Sequence, residues 1–132
     1  MLLLGGSGTG KSDLALRLID SGAQLIADDR VLLSRNAQTI YASVPERLAG
    51  VLEVHGLGIV TLPYIPETSL DLVVTLVSAH AEERHPEPCY YACEGINIPL
   101  LSLYPFAPST PAKIRVALKH AASNTAENRK AS

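Results

Sequence analysis

Residues 1–22 read MLLLGGSGTGKSDLALRLIDSG, and this stretch decides the fold because it joins an apolar run, a glycine-rich segment and a helical pattern. The opening MLLL predicts the end of a buried strand. After Lys11, apolar side chains recur at helical spacing, and Gly22 is a natural stop, so we expect a buried helix. A strand, a glycine loop and a helix in this order are the start of an α/β unit.

The glycine segment meets a specific physical demand. Gly5, Gly10, Lys11 and Ser12 complete the pattern G-x-x-x-x-G-K-[ST], which lets backbone N–H groups approach a phosphate chain closely. A helix that begins at Lys11 points the positive end of its dipole at the anion. The pattern predicts a phosphate cradle in which Lys11 reaches the terminal phosphates and the Ser12 hydroxyl is placed for Mg²⁺. The residues expected to bind the phosphorylated ligand are Gly5, Gly6, Ser7, Gly8, Thr9, Gly10, Lys11 and Ser12.

Two adjacent carboxylates follow the helix. The short apolar run AQLIA ends at Asp28 and Asp29 and predicts a parallel strand, which completes a right-handed βαβ unit. The carboxyl end of that strand lies at the edge of the sheet where ligands bind. Since neighbours in a strand point to opposite faces, the two aspartates should have different tasks. We assign proton transfer to Asp28, and Mg²⁺ binding or bracing of the loop to Asp29, although spacing alone leaves open which of them faces the cradle.

The rest of the chain reads mainly as strands. Hairpins are predicted around RNAQ and around Glu94-Gly95, PERLAG suggests one helical turn, SLDLVVTLVSA a buried strand, and STPAKIRVALKHAA a second helix. The fold class is therefore α/β, with a P-loop βαβ unit and a mixed, largely antiparallel β extension. We divide the chain into one domain over residues 1–122 and a polar tail over residues 123–132.

Composition narrows the class of function. The chain has 132 residues, 47% hydrophobic and 18% charged, with a formal net charge of −2, which fits one globular domain. No basic excess indicates a nucleic-acid or membrane partner. The apolar run at the start is too short to span a bilayer and lacks the features of a secretion signal. We therefore expect a cytoplasmic protein whose Cys89 and Cys93 are reduced thiols on one face of a strand.

Glu53 lies in LEVHGLGIV, where a charged side chain interrupts a strand pattern next to two glycines. It could belong to a Mg²⁺ site, directly or through water. It could also lie on the solvated face of an antiparallel strand. Spacing alone favours the solvated face.

Three segments together resemble a known family. GGSGTGKSDLAL, LIADDRVLL and LEVHGLGIV match, in order and spacing, the catalytic domain of HPr kinase/phosphorylase, most closely the short form without the usual N-terminal domain. The resemblance covers about residues 2–120 and implies the fold shared by HPr kinase and PEP carboxykinase. It implies that ATP and Mg²⁺ are used to phosphorylate a serine of the phosphocarrier protein HPr. It also implies phosphorolysis, in which inorganic phosphate attacks phosphoserine and releases pyrophosphate.

The resemblance extends to individual residues. It implies that Asp28 is the catalytic aspartate, acting as a base in one direction and as an acid in the other, and that Lys11 assists at the phosphates. It implies that Asp29 is the second acidic residue and that Glu53 lies near the metal, which reverses the preference from spacing. The resemblance also implies that Arg84, in EERHPEP, is an active-site arginine. Relatives in this family form hexamers, so a homo-oligomer is expected.

Two other readings compete. A small-molecule P-loop kinase also places carboxylates after the cradle helix, but such enzymes continue with helices and an arginine-bearing lid, whereas this chain continues with strand-like segments. A non-catalytic nucleotide-sensing module would bind nucleotide and transfer nothing. The first is distinguished by helix content, and the second by an assay with Mg-ATP and HPr.

Overall fold

A computed structural model describes residues 1–6, 8–26 and 31–131, with side chains described as far as Ala121. Within these ranges the strands are β1 (Leu2–Leu4), β2 (Leu32–Asn36), β3 (Thr39–Ser43), β4 (Val51–Val54), β5 (Gly58–Thr61), β6 (Glu67–Ser69), β7 (Val73–Leu76), β8 (Cys89–Cys93) and β9 (Ile96–Leu103). The helices are α1 (Lys11–Asp20) and α2 (Thr110–Ala131), and 3₁₀ turns cover Glu46–Leu48 and Ala79–Ala81.

A four-stranded mixed sheet lies at the centre, in the order β1-β7-β9-β8. Strands β1, β7 and β9 are parallel to one another, and β8 joins β9 as an antiparallel hairpin. Strand β7 lies between two partners, and its residues Val73, Val74 and Leu76 are buried. A strand covered on both faces is expected to be apolar along its length, which explains the near-continuous hydrophobic run here.

The central sheet is covered on both sides. On one face, Leu14 of α1 and Ile114 of α2 pack against Val74 and Leu76. On the other face, Val73 meets Ile40 of a three-stranded antiparallel sheet in the order β2-β3-β6. Because successive residues of a strand point to opposite faces, Val73 and Val74 contribute to different core layers.

A separate hairpin covers the outer side of α1. Strands β4 and β5 pair antiparallel, with Glu53 opposite Ile59. Leu52 and Val54 are buried and pack with Leu16 of α1 in a third apolar cluster. Glu53 lies between them in the strand and points to the opposite, exposed face. The hairpin thereby packs β4 against the first helix.

Most of the predicted elements are confirmed. The first strand, both helices, the turn at residues 46–48 and the buried strand at β7 form where the sequence predicts them, and so do the hairpins β2–β3 and β8–β9. The extension is mixed, as predicted, because it joins parallel pairs to four antiparallel ones.

The second strand of the expected βαβ unit differs from the prediction. Among residues 23–26, Leu25 makes a single parallel bridge to Tyr64, and these residues form no strand of the central sheet. The parallel neighbour of β1 is instead β7. The physical reason is burial: β7 offers a run of β-branched residues covered on both faces, whereas residues 23–26 include exposed Ala23 and Gln24.

The C-terminal helix is longer than expected. Helix α2 continues to Ala131, through residues 123–131 that were predicted as a polar tail. The hydroxyl of Thr110 is buried at the start of α2 and donates a hydrogen bond to the carbonyl oxygen of Tyr104. No helix in the described part of the chain is both long and apolar enough to cross a membrane.

Candidate active site

Three connections meet at one edge of the central sheet. Because β1, β7 and β9 are parallel, the residues that follow each of them lie at the same, carboxyl edge. The glycine loop follows β1, the segment with the second 3₁₀ turn follows β7, and residues 104–109 follow β9. This is the edge at which open α/β sheets bind ligands.

The backbone of the glycine loop has the conformation that its glycines permit. Gly8 and Gly10 have φ angles of 80° and 91°, in the left-handed region. Gly10 is the N-cap residue of α1, and its carbonyl oxygen accepts the hydrogen bond of Leu14 that opens the helix. Gly10 itself has no side chain with which to cap this end of α1. A helix start carries the positive end of the dipole and is suited to an anion.

The loop is closed on its inner side and open on its outer side. A Cβ atom added to Gly5 would lie 2.5 Å from the hydroxyl oxygen of Thr9, and that hydroxyl donates a 2.7 Å hydrogen bond to the carbonyl oxygen of Gly6. By contrast, a Cβ atom added to Gly6 or Gly8 would meet no atom of the described residues within 4 Å. A ligand can therefore approach the main chain of Gly6 and Gly8 closely, while Gly5 and Thr9 hold the loop in shape.

A cleft of about 650 Å³ opens beside the loop, within the usual size range of small-ligand sites. It brings six of the predicted site residues together, because the glycine-loop residues Gly6, Gly8, Gly10, Lys11 and Ser12 share it with Glu53, which is distant in sequence. Its lining consists of Gly6, Gly8, Gly10, Lys11, Ser12, Asp13, Leu16, Glu53, Val54, His55 and Phe106. The loop contributes backbone and a cation to this cleft, and the β4–β5 hairpin contributes a carboxylate.

The third wall of this cleft is the ring of Phe106, which lies over Gly10. A Cβ atom added to Gly10 would come within 2.6 Å of the ring carbon Cζ. Gly10 is therefore required by its positive φ angle and also by the close approach of an aromatic side chain.

Arg84 lies elsewhere along the same edge. It lines a second cleft, of about 540 Å³, with Glu82, Tyr104 and Lys113, and is not among the residues that line the first cleft. Lys113 Nζ donates to Glu82 Oε1 at 2.7 Å, and the N–H group of Tyr104 donates to Glu82 Oε2 at 2.5 Å. These two hydrogen bonds, the one from Lys113 first, lower the pKa of Glu82 below its usual value.

Ser7, Asp28 and Asp29 lie outside the described residues, so their predicted roles remain predictions. The described residues that flank positions 27–30 give information about the surroundings of this segment. Ile26 and Val31 line a small cavity of about 150 Å³, and Lys11 lines the same cavity. The described residues on either side of positions 27–30 therefore share a cavity with the lysine of the glycine loop.

Sequence reasoning missed several lining residues of the first cleft: Asp13, Leu16, Val54, His55 and Phe106. Of these, Asp13 and Leu16 could have been found by extending the loop pattern along the first turns of α1. His55 and Val54 flank Glu53 closely. Phe106 gave no local signal, because its position depends on β9 running parallel to β1 rather than on any motif.

Comparison with known proteins identifies the family. The family described as "HPr Serine kinase C-terminal domain" matches residues 1–99, three quarters of the chain. The HPr kinase/phosphorylase of Bordetella pertussis is 46% identical over 92 residues, which are 64% of this chain and 30% of that protein. The HPr kinase/phosphorylase of Malacoplasma penetrans is 34% identical over 125 residues, which are 86% of this chain and 40% of that protein.

A solved structure has the same fold. The HPr(Ser) kinase/phosphatase of Coxiella burnetii superposes with a TM-score of 0.80 at 23% sequence identity, covering 98% of this chain and 86% of that one. The chain spans about a third of the length of the curated relatives that it matches, between 30% and 40% for the two named above. Because the family model matches three quarters of the chain, the chain belongs to the HPr serine kinase C-terminal domain family.

Proposed function

We propose that this protein is the catalytic domain of an ATP-dependent protein serine kinase/phosphorylase that acts on the phosphocarrier protein HPr. The observation that carries the proposal is the meeting of the glycine loop, Lys11, Ser12 and Glu53 in one cleft at the carboxyl edge of a parallel sheet. A phosphate cradle, a cation and a carboxylate are the parts that phosphoryl transfer needs. The cytoplasmic location expected from the sequence belongs to the same proposal.

The phosphates of ATP bind along the main chain of Gly6 and Gly8 and at the start of α1. The ammonium group of Lys11 neutralises charge on the terminal phosphates. At a separation of about 4 Å and an effective dielectric constant near 20, one such interaction amounts to roughly 4 kcal/mol. That energy corresponds to about a thousandfold in binding or rate.

The donor set of the cleft fits a hard divalent cation. Ser12 and Glu53 offer oxygen atoms on the two sides of the same cleft, and Mg²⁺ prefers oxygen ligands together with substrate phosphates. Asp29 is the third proposed ligand. Bound there, Mg²⁺ would neutralise charge that develops on the phosphate oxygens during transfer. Positioning of the two substrates by the loop and by Lys11 supplies the remainder.

Asp28 is the proposed proton acceptor and donor. In the kinase direction it accepts the proton of the HPr serine hydroxyl as that oxygen bonds to the γ-phosphorus and the bond to ADP breaks. In the phosphorylase direction an oxygen of inorganic phosphate attacks the phosphorus of phosphoserine, and Asp28 returns the proton to the departing serine oxygen while pyrophosphate forms. Support comes from the cavity that Lys11 shares with Ile26 and Val31, which flank residues 27–30.

HPr as the substrate is supported by the names of the relatives, which are HPr kinase/phosphorylases. Arg84 is the proposed active-site arginine, at the same sheet edge but in the neighbouring cleft. The two clefts are neighbours, since Tyr104 lines the one with Arg84 and Phe106 lines the one with the glycine loop. An HPr molecule bound across both clefts would contact Arg84. A hexameric assembly stays an expectation from the family resemblance.

The test is incubation with Mg-ATP and purified HPr, followed by mass-spectrometric mapping of the modified residue. We expect one phosphoserine on HPr, and its removal with formation of pyrophosphate when inorganic phosphate is added. Asp28→Asn is the matched variant, expected to lose both directions while binding ATP normally. Loss of the kinase direction alone would contradict the shared acid and base role. Nucleotide binding without any phosphoserine would identify a nucleotide sensor instead.

A further inference from the structure

The cleft beside the glycine loop is lined by two chemically different sets of groups. The polar set comprises the loop main chain, Lys11, Ser12, Asp13, Glu53 and His55. The apolar set comprises Leu16, Val54 and the ring of Phe106. A site for inorganic phosphate alone has no use for an apolar wall. This combination suits a ligand that joins a phosphate chain to a flat, weakly polar group.

Phe106 is the only phenylalanine of the chain, and 51% of its surface is exposed. About half of this side chain is therefore accessible to a ligand in the cleft that it lines. The ring stands 5.7 Å from that of Tyr104, centroid to centroid, with an interplanar angle of 73°. Such an edge-to-face pair restrains the orientation of the phenylalanine ring.

The backbone that presents the ring is fixed by three hydrogen bonds. Glu82 accepts from the N–H group of Tyr104, and Thr110 donates to the carbonyl oxygen of Tyr104 at 2.6 Å. Arg17 of α1 donates to the carbonyl oxygen of Pro105, which is itself a buried residue. The ring is therefore held against the loop before any ligand binds, so little ordering is needed on binding.

We propose that Phe106 is the surface on which the nucleobase of the bound nucleotide stacks, and that it separates nucleotides from simple polyphosphates at this site. The inference rests on the proposed function and extends it to a specificity-determining residue. Phe106 lies outside residues 1–99, so the family match does not assign it a role. A base on this ring would extend from a phosphate chain that begins at Gly10 and Lys11.

The test compares ATP with inorganic pyrophosphate as probes, by calorimetry on the full chain. Three variants are used: Phe106→Leu keeps an apolar contact with Gly10 but removes the flat ring, Phe106→Tyr keeps the ring, and Tyr90→Leu alters an exposed aromatic residue on β8, away from the cleft. Thermal unfolding of each variant confirms that it is folded.

We expect Phe106→Leu to weaken ATP binding by roughly 5- to 150-fold, the range that follows from losing one base–aromatic stack. Pyrophosphate affinity should stay unchanged in that variant, and both affinities should be unchanged in Phe106→Tyr and Tyr90→Leu. An equal loss of ATP and pyrophosphate binding in Phe106→Leu would overturn the inference, because the ring would then only support the loop. Unchanged ATP affinity would also overturn it. Failure of the unaltered protein to bind either probe would instead refute the proposed function.

Discussion

Arg17, on the helix that follows the glycine loop, donates a hydrogen bond to the main-chain oxygen of Pro105, one residue before the ring that covers the loop. The same guanidinium group pairs with Asp13 at 3.0 Å, one helical turn earlier on α1. An arginine fork can make both interactions at once because its N–H groups have a fixed geometry. The first helix thus sets the position of two walls of the cleft.

The role of Arg17 can be measured by replacement with methionine, which keeps the apolar stem and removes the hydrogen bonds. We expect Arg17→Met to lower the free energy of unfolding by about 1–3 kcal/mol, since a charged donor to a buried carbonyl is lost. ATP affinity should fall as the segment with Phe106 loosens. Arg115→Met, an exposed arginine of α2, serves as the control in urea unfolding. Equal effects of the two substitutions would mean that the link between α1 and Pro105 is without consequence.

Lys11→Ala tests the electrostatic part of the cradle. We expect ATP affinity to fall about a thousandfold, because the closest positive charge to the terminal phosphates is removed. The melting temperature should change little, since the side chain is only partly buried. Isothermal calorimetry gives the first quantity and circular dichroism the second. Lys119→Ala removes a lysine of α2 and controls for the change in net charge. If the two variants bound ATP equally well, Lys11 would not contact the phosphates.

Alanine substitutions at Gly6 and Gly10 distinguish the structural role of the loop from its role in binding phosphate. Gly10→Ala forces a side chain onto a φ angle of 91° and against the ring of Phe106, so we expect a loss of about 1–3 kcal/mol in unfolding free energy. Gly6→Ala adds a methyl group that meets no atom within 4 Å in the described part of the chain. Its stability should stay within about 0.5 kcal/mol of the unaltered protein, while pyrophosphate binding weakens. Full pyrophosphate affinity in Gly6→Ala would show that the ligand does not lie against this part of the main chain.

Glu82 makes part of the stability dependent on pH. Its pKa is lowered in the folded protein, first by the hydrogen bond from Lys113 and then by that from the Tyr104 N–H group. Its contribution is therefore complete above the unfolded-state pKa of glutamate, about 4.3, and is lost as the pH falls through the lower, folded-state value. The stability difference between the unaltered protein and Glu82→Gln, on the order of 1 kcal/mol at neutral pH, should shrink on acidification. A difference that is constant from about pH 7 to about pH 3 would contradict this coupling.

Structural features that depend on neighbouring residues could be predicted from the sequence, whereas the pairing of strands distant in sequence could not. The glycine loop and the helix after it follow from residues 5–22, because each signal acts over a few positions. The turn at Glu94-Gly95 was also readable, and both of these residues have positive φ angles. The pairing of β1 with β7 could not be read, since it depends on which apolar run has both of its faces covered.

In the candidate site, too, the residues in local motifs were predicted and the residue placed by distant pairing was not. Lys11, Ser12 and Glu53 were predicted, and the structure brings them into one cleft. For Glu53 the spacing itself favoured a solvated strand face, and its side chain is exposed. Resemblance to the family, and not periodicity, pointed to the metal. Phe106 was missed because only the parallel direction of β9 carries it to the glycine loop.

The most direct measurement is a crystal structure of the protein soaked with Mg-ATP or with pyrophosphate. We expect phosphate oxygens within hydrogen-bonding distance of the main-chain N–H groups between Gly8 and Ser12, and the Lys11 ammonium group on the terminal phosphate. With ATP, the base should lie on the ring of Phe106. Density for the phosphates at another place, in a protein that binds the same ligand in solution, would contradict the assignment of this cleft.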